Sequence, residues 1–367
     1  MIRVLVVDDS VVVRRMLSDA LTSDPRVEVV GSAANGAIAL QKIVLLSPDV
    51  VILDVEMPDM DGIQTVERIR PDFPSLPVIM CSSLTEKGAD VTLRALAAGA
   101  TDYIAKPAAA ATQADGLGSF RVELLGKVLA LGAVRADRAV ERVATSTPPQ
   151  AIRSRPPVER APVSALAIGC STGGPNALAA LFAGIPADLP VPIFIVQHMP
   201  PLFTKMLAER LTASSGVSVV EARHGEAIEP GRAYVAPGDH HLVVGRIGAR
   251  AVTFLNQEAL ENSCRPAVDV LFRSLASFYG AGVLACVLTG MGHDGARGAG
   301  EIVRAGGRVL VQEAKSCVVP SMPGAVVDAG FAEKSLSLER IASEFTFRSR
   351  ATASVVPSFS LSPQRKS

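Results

Sequence analysis

Apolar residues cluster in short runs along the first third of the chain: 2–7 (IRVLVV), 27–33 (VEVVGSA), 50–55 (VVILDV), 77–83 (PVIMCSS) and 102–107 (DYIAKP). Runs of this length, rich in β-branched residues, read as strands. The stretches between them, 10–23, 35–47, 62–70 and 88–100, instead repeat apolar residues at the three- and four-residue spacing of a helix with one buried face. Five such alternations predict a parallel five-stranded sheet with helices on both faces, because each parallel crossover needs a long return path that a helix fills. A further helix at 119–136 (SFRVELLGKVLALGAVRA) closes this domain.

From about 140 to 163 the periodicity gives way to Pro, Ser, Thr and Arg, the composition of a linker. Alternation then resumes, with strands expected at 165–174, 191–200, 217–222, 233–238, 241–246, 251–256, 282–291 and 306–313. Helices fall at 175–184, 200–214, 266–278, 294–305 and 321–328. This pattern predicts a second, doubly wound and mostly parallel α/β domain with hairpin-like strands in its middle. The plan of the chain is thus a first domain at 1–125, a helix extension and linker at 126–162, a second domain at 163–346, and a polar, disordered tail at 347–367.

Composition narrows the class of function. A chain of 367 residues with 49% hydrophobic and 20% charged residues can bury two sizeable cores. Lys and Arg total 36, as do Asp and Glu, so no net field draws it to nucleic acid or an anionic membrane, and neither is expected as a partner. The chain opens as a strand, and no apolar run approaches the roughly 18 residues of a membrane span. The expectation is a soluble, cytoplasmic protein without membrane insertion. Its five cysteines are scattered, odd in number and without C-x-x-C spacing, which argues for reduced, mostly buried thiols rather than disulfides or a zinc site.

In an open parallel sheet, functional groups gather beyond the carboxyl ends of the strands. Asp8 and Asp9 end the first strand, Asp54 the third, Ser82 the fourth and Lys106 the fifth. Three hard carboxylates beside an ammonium suit Mg²⁺, which takes few protein ligands and keeps places for water and phosphate oxygens. Asp9 alone reads equally well as a helix-capping acid. Together these residues make 1–125 resemble a flavodoxin-like response-regulator receiver domain. The motifs that carry the resemblance are VDD at 7–9, LDVEMPDMDG at 53–62, the hydroxyl after strand four and YIAKP at 103–107. The resemblance implies that Asp54 accepts a phosphoryl group from a histidine kinase and that Asp8, Asp9 and Asp54 hold Mg²⁺. It further implies that Lys106 contacts phosphoryl oxygens and that Ser82 and Tyr103 act as the switch pair.

In the second half, GCSTGGP at 169–175 joins an apolar strand to a helix opening with Pro175. Exposed backbone N–H groups there fit an anion cradle, although neither G-x-G-x-x-G nor G-x-x-x-x-G-K-[ST] is present. GCSTG equally satisfies G-x-S-x-G, which exposes a nucleophilic serine, Ser171. Such a serine needs a base held by an acid. His198 ends the next strand and Asp294 follows a later one, while His240, His241 and His293 remain open as bases if the order is serine, acid, histidine.

Over 163–345 the chain is similar to the CheB family of chemotaxis protein-glutamate methylesterases. The similarity lies in IGCSTGGP, QHMPPLFT, YVAPGDHHL, RPAVDVLF, LTGMGHDGA and PSMPGAV. His293 stands where an Asn often precedes the acid, and Cys170 where Ala often precedes the serine. The resemblance implies Ser171 as nucleophile, His198 as general base and acid, and Asp294 as the group that orients the imidazole. Thr172 and the Met291 N–H would receive the oxyanion, and Arg265 would position substrate. The substrates implied are glutamate γ-methyl esters, and secondarily glutamines, on the cytoplasmic helices of methyl-accepting chemoreceptors, with no cofactor in the esterase step. The same resemblance implies that the receiver rests over the Ser171 cleft until Asp54 is phosphorylated. Two other readings stay open at this point: a receiver fused to an anion-binding module, and a hydrolase of small metabolites.

Overall fold

The computed structural model describes residues 1–107, 114–141 and 161–353. The linker expected between the domains falls largely at 142–160 and the end of the tail at 354–367, outside the described residues.

The first domain alternates β1 (Ile2–Val7), α1 (Val11–Thr22), β2 (Val27–Ala33), α2 (Gly36–Leu46), β3 (Val50–Asp54), α3 (Gly62–Ile69), β4 (Val78–Ser82), α4 (Glu86–Ala97), β5 (Asp102–Ala105) and α5 (Ala114–Glu141). The sheet order is β2-β1-β3-β4-β5 and every pairing is parallel. All residues of β3 and β4 are buried, as the near-continuous apolar runs of a sheet covered on both faces require. Helix starts follow local chemistry: Ser10, Asn35 and Thr85 cap α1, α2 and α4, and Asp61 with Gln64 forms a reciprocal capping box on α3. Because the chain runs outward from β1 to β2 and then returns to β3 on the other side, a crevice opens at the carboxyl ends of β1 and β3.

The second domain holds β6 (Ala165–Cys170), α6 (Gly174–Ala183), β7 (Ile193–Gln197), α7 (Phe203–Ser215), β8 (Ser218–Glu221), β9 (Arg232–Val235), β10 (His241–Ile247), β11 (Arg250–Asn256) and α8 (Val268–Tyr279). It continues through β12 (Val283–Val287), α9 (Ala296–Arg304), β13 (Arg308–Gln312), α10 (Ser321–Asp328), β14 (Lys334–Leu336) and α11 (Leu338–Ala353). Its seven-stranded sheet, ordered β14-β13-β12-β6-β7-β9-β8, is parallel throughout, and β10 with β11 forms a separate antiparallel hairpin. The expected doubly wound α/β architecture is therefore present in both halves. Here the direction of winding reverses around β6, between β12 and β7.

The end of the chain departs from expectation. β14 and α11 were not foreseen, and α11 continues to Ala353, past position 347 where the tail was placed. The reason is burial of charge against charge. Arg348, almost fully buried, donates two 3.0 Å bonds to Glu333 and one to Glu344, while Phe345 is wholly buried beneath it. A polar sequence thus holds a packed helix through Glu333, outside it, and Glu344, one turn earlier within it.

The two domains share a packed boundary. The rings of Tyr103 and Phe203 stack with centroids 4.8 Å apart, Arg210 donates to the Leu93 carbonyl at 2.9 Å, and Asn176 donates to the Ala100 carbonyl at 3.2 Å. Phe120, Leu124 and Val128 of α5 belong to one apolar cluster with Val319, against which Met291 packs. At Gly126 of α5 a Cβ would sit only 3.1 Å from Met291 Cε, so the helix comes close to that loop where it carries no side chain.

Beside this boundary Lys127 forms a 2.6 Å ion pair with Asp102, both nearly buried. Lys127→Ala leaves the Asp102 carboxylate uncompensated and is expected to cost about 3–5 kcal/mol, read as a lowered receiver transition in calorimetry. A change below about 1 kcal/mol would show that water replaces the lysine.

Candidate functional site

The carboxyl edge of the first sheet brings Asp8, Asp9, Asp54 and Lys106 together. Lys106 Nζ lies 2.8 Å from Asp8 Oδ2 and 2.8 Å from Asp54 Oδ1. The remaining oxygen of Asp8 accepts the Ser10 N–H at 2.9 Å, and Asp54 Oδ1 accepts the Val55 N–H at 2.8 Å. One oxygen from each of Asp8, Asp9 and Asp54 falls within 4.8 Å of the others, with Asp9 exposed and the other two buried. Burial, reinforced by the Asp8 charge, pushes Asp54 up to about 6 against the pull of Lys106 and the Val55 N–H. Burial also opposes the charge on Lys106, but Asp54 and Asp8 outweigh it and raise the ammonium to about 12.

Ser82 ends β4 as expected, but its hydroxyl donates to the Gly88 carbonyl at 3.0 Å, toward α4. Tyr103 is buried, with its ring held against Phe203 of the second domain. The expected switch pair is therefore turned away from Asp54, and its aromatic member is part of the domain boundary.

At the second edge the strand register does the placing. Cys170 is paired with Gln197 in the parallel β6–β7 ladder, so Ser171 and His198 are the next residues off adjacent strands. The His198 N–H donates to the Cys170 carbonyl at 3.2 Å, and Gln197 Nε2 bridges the carbonyls of Ser171 and His198 at 3.1 Å each. On the other side, Ser171 N–H donates to the Thr289 carbonyl at 3.0 Å, just past β12. Gly290 permits this approach, since a Cβ there would lie 2.9 Å from Ser171 Cβ.

Asp294 reaches into the same crevice. Its Oδ2 is 2.8 Å from His198 Nε2 and accepts the Val268 N–H at 2.6 Å. Its Oδ1 accepts from Asn262 Nδ2 at 2.8 Å and from the N–H groups of Asp269 and Gly295 at 3.0 Å. Burial penalises this carboxylate, yet His198 and the backbone donors hold it below its ordinary pKa. Burial likewise disfavours the imidazolium, but Asp294 and Cys264 together raise His198 to about 10. Among the contacts of the described residues, no hydrogen bond joins Ser171 Oγ to the ring. Nδ1, the nitrogen that Asp294 leaves free, instead faces Cys264 Sγ at 3.6 Å.

The other expected residues sort as follows. Thr172 is buried, its carbonyl accepting from Thr289 Oγ1 at 3.0 Å, and Met291 is half-buried with its side chain against α5. His240 lies near the Gly238 carbonyl at 3.3 Å; His241 is buried between the Ala259 carbonyl and the Ala267 N–H; His293 is exposed. Of these histidines, only His198 pairs with Asp294. Arg265 binds Asp239 at 2.6 Å and the carbonyls of Gln257 and Glu258, so its guanidinium ties two loops together.

Three residues escaped the sequence reading: Cys264, Asn262 and Asp269. Asp269 receives the N–H groups of Gly295 and Gly298 on Oδ1 and the Asn262 amide on Oδ2. The only signal for it is an acidic residue inside the apolar run VDVLF, and nothing local marks the other two.

A receiver-type sheet joined to a parallel α/β domain with an Asp–His pair at its carboxyl edge defines a response regulator with a hydrolase-like output domain. A family model described as response regulator receiver domain matches residues 4–114, and one described as CheB methylesterase matches 166–345. A protein-glutamate methylesterase/protein-glutamine glutaminase of Nocardioides sp. is 47% identical over 365 residues, covering 98% of this chain and 99% of that protein. One of the same name from Trichodesmium erythraeum is 44% identical over 346 residues, covering 94% and 98%. The solved CheB methylesterase catalytic domain of Thermotoga maritima is 39% identical and covers 50% of this chain and 98% of its own, with a TM-score of 0.49. The chain belongs to the protein-glutamate methylesterase/protein-glutamine glutaminase family.

Asn262 joins Asp294 to Asp269, so its removal should loosen the acid without touching substrate. Asn262→Ala is expected to lower kcat for ester hydrolysis by up to about a hundredfold with KM nearly unchanged, measured by initial rates. A loss confined to KM would place Asn262 on the substrate instead.

Proposed function

We infer that this protein is a phosphorylation-regulated serine esterase that hydrolyses glutamate γ-methyl esters on chemoreceptors and deamidates glutamines there. The observation that carries the reading is the 2.8 Å contact of His198 Nε2 with Asp294, formed beside Ser171 at the reversal of the sheet. With Nε2–H given to Asp294, Nδ1 carries the lone pair that takes the Ser171 proton as Oγ attacks the ester carbon. Negative charge on the carbonyl oxygen is received by the Met291 N–H and Thr172. His198 returns the proton to the departing methanol, then draws one from the water that releases glutamate. A side-chain amide follows the same path with ammonia leaving.

Control lies in the receiver. Asp54 is the acceptor of a phosphoryl group from a histidine kinase. The three carboxylates of Asp8, Asp9 and Asp54 offer hard oxygens at a spacing that fits Mg²⁺, which, when bound, would neutralise phosphoryl charge. Lys106, already held between Asp8 and Asp54, meets the same oxygens. Phosphorylation adds a charge of about −1.5 to −2, which draws the Ser82 hydroxyl inward and frees the space that Tyr103 enters. Since Tyr103 is stacked on Phe203 and α5 lies on Met291, that movement withdraws the receiver from the esterase crevice.

Methanol release from methylated receptor membranes tests this reading directly. Rates should rise on addition of a small phosphoryl donor, remain low in Asp54→Asn, and fall roughly 10⁴-fold or more in Ser171→Ala. Gly126→Leu, which wedges α5 from Met291, should raise the unphosphorylated rate. Full turnover by Ser171→Ala would end the esterase reading, and equal rates with and without donor would end the regulatory one.

The Asp54 pKa sets a second expectation. In the metal-free protein the Asp54 carboxyl should titrate as pH drops through about 6, above the ordinary aspartate range, as followed by NMR of its carboxyl carbon. A midpoint near 4 would mean that the burial seen here does not govern this carboxyl.

A further inference from the structure

We propose that Cys264 is a modification site of the esterase centre: a thiol held against His198 that hydroperoxides oxidise, and whose oxidation stops ester hydrolysis. This rests on the reading of His198 as the base.

Cys264 Sγ faces His198 Nδ1 at 3.6 Å, within hydrogen-bonding reach for sulfur, while Nε2 of the same ring is engaged by Asp294. Cysteine, histidine and aspartate thus form a continuous acid–base chain that does not include Ser171. Cys264 is partly exposed, whereas Cys81, Cys170, Cys286 and Cys317 are buried. The thiol is held in place by its loop. Glu261 and Cys264 exchange backbone hydrogen bonds of 2.9 and 3.1 Å across Asn262 and Ser263, both in the left-handed region. Arg273 grips the Glu261 carboxylate with two 2.6 Å bonds, and Arg265 anchors the far side to Asp239.

The titratable groups that face the imidazole are the Asp294 carboxylate, from the loop after β12, and the Cys264 thiol, from the loop before α8. Asp269 of α8 stands behind Asp294, linked to it through Asn262. A thiol beside an imidazole that a carboxylate holds has a base within reach to take its proton as sulfur attacks. The buried thiols have the opposite environment: desolvation pushes Cys81 up to about 12 and Cys170 well above its ordinary value.

The reaction balances without further components. The thiol proton passes to Nδ1 as sulfur attacks one oxygen of the hydroperoxide. The O–O bond breaks, sulfur is oxidised by two electrons to the sulfenic acid, and the leaving hydroxide takes the imidazolium proton and departs as water, or as an alcohol from an organic peroxide. The new oxygen stands on the sulfur that faces Nδ1, the nitrogen Ser171 needs. Hydrolysis stops until a thiol reductant restores the cysteine.

The full-length protein, reduced and then exposed to hydrogen peroxide or iodoacetamide, decides the matter. Each protein is compared with its own untreated rate of methanol release, and modified residues are mapped by mass spectrometry. Cys264 should alkylate at least about tenfold faster at pH 7 than the other cysteines, and about tenfold faster than Cys264 in Asp294→Asn. Peroxide should remove hydrolysis in step with a dimedone-trapped sulfenic acid at Cys264, dithiothreitol should restore it, and Cys264→Ser should keep its own rate under the same treatment. The proposal is overturned if Cys264 alkylates no faster than an ordinary thiol. It is equally overturned if the wild-type protein hydrolyses ester while oxidised at Cys264, or if Cys264→Ser is inactivated in parallel. Alkylation needs no ester hydrolysis, so a protein that releases no methanol defeats the proposed function while the Cys264 rates still give their own answer.

Discussion

Parallel pairing of β6 with β7 on one side and β12 on the other is the constraint from which the second half of the molecule follows. The ladder puts Cys170 opposite Gln197, so the residues that leave the two strands emerge side by side. A shift by one position would turn each side chain to the other face of the sheet. The register is held by near-complete burial of all three strands, which admits no sliding without exposing apolar surface. Ser171, His198 and the loop bearing Asp294 are thereby gathered by backbone geometry before any side chain interacts.

The same logic operates in the receiver with charge in place of a nucleophile. Asp8 and Asp54 are buried as like charges, and Lys106 is the cation that makes this tolerable. Burial nevertheless leaves Asp54 strained upward toward its neutral form. A pocket in that condition is relieved by any added positive charge. The domain boundary ties this local imbalance to the second sheet, since Tyr103 and α5 contact Phe203 and the Met291 loop directly.

Cys264 introduces a competition at the centre. His198 has two nitrogens; Asp294 takes one, and in this arrangement the thiol faces the other. A ring paired on both sides is raised toward the imidazolium, a poor acceptor for a serine proton. The ring is thus paired with Asp294 on one side and with Cys264, rather than Ser171, on the other.

Much of this was legible along the chain. Alternating apolar runs announced two α/β domains, and the residues at strand ends marked both sheet edges. β14 escaped because three residues on a sheet edge carry no period, and α11 because its polar face is satisfied by Glu333 and Asp188, remote in sequence. Asn262 and Asp269 were illegible for the same reason: their meaning lies in bonds to Asp294, 32 and 25 residues away.

By itself, then, the sequence determined the order of elements, the two parallel layers and the chemical types at their carboxyl ends, because these depend on local periodicity and on chain reversals. Only the tertiary structure decided which histidine meets Asp294, where Tyr103 turns and what occupies Nδ1 of His198. Those outcomes depend on distances of a few ångströms between segments far apart in the chain, set by packing and desolvation rather than by any local pattern.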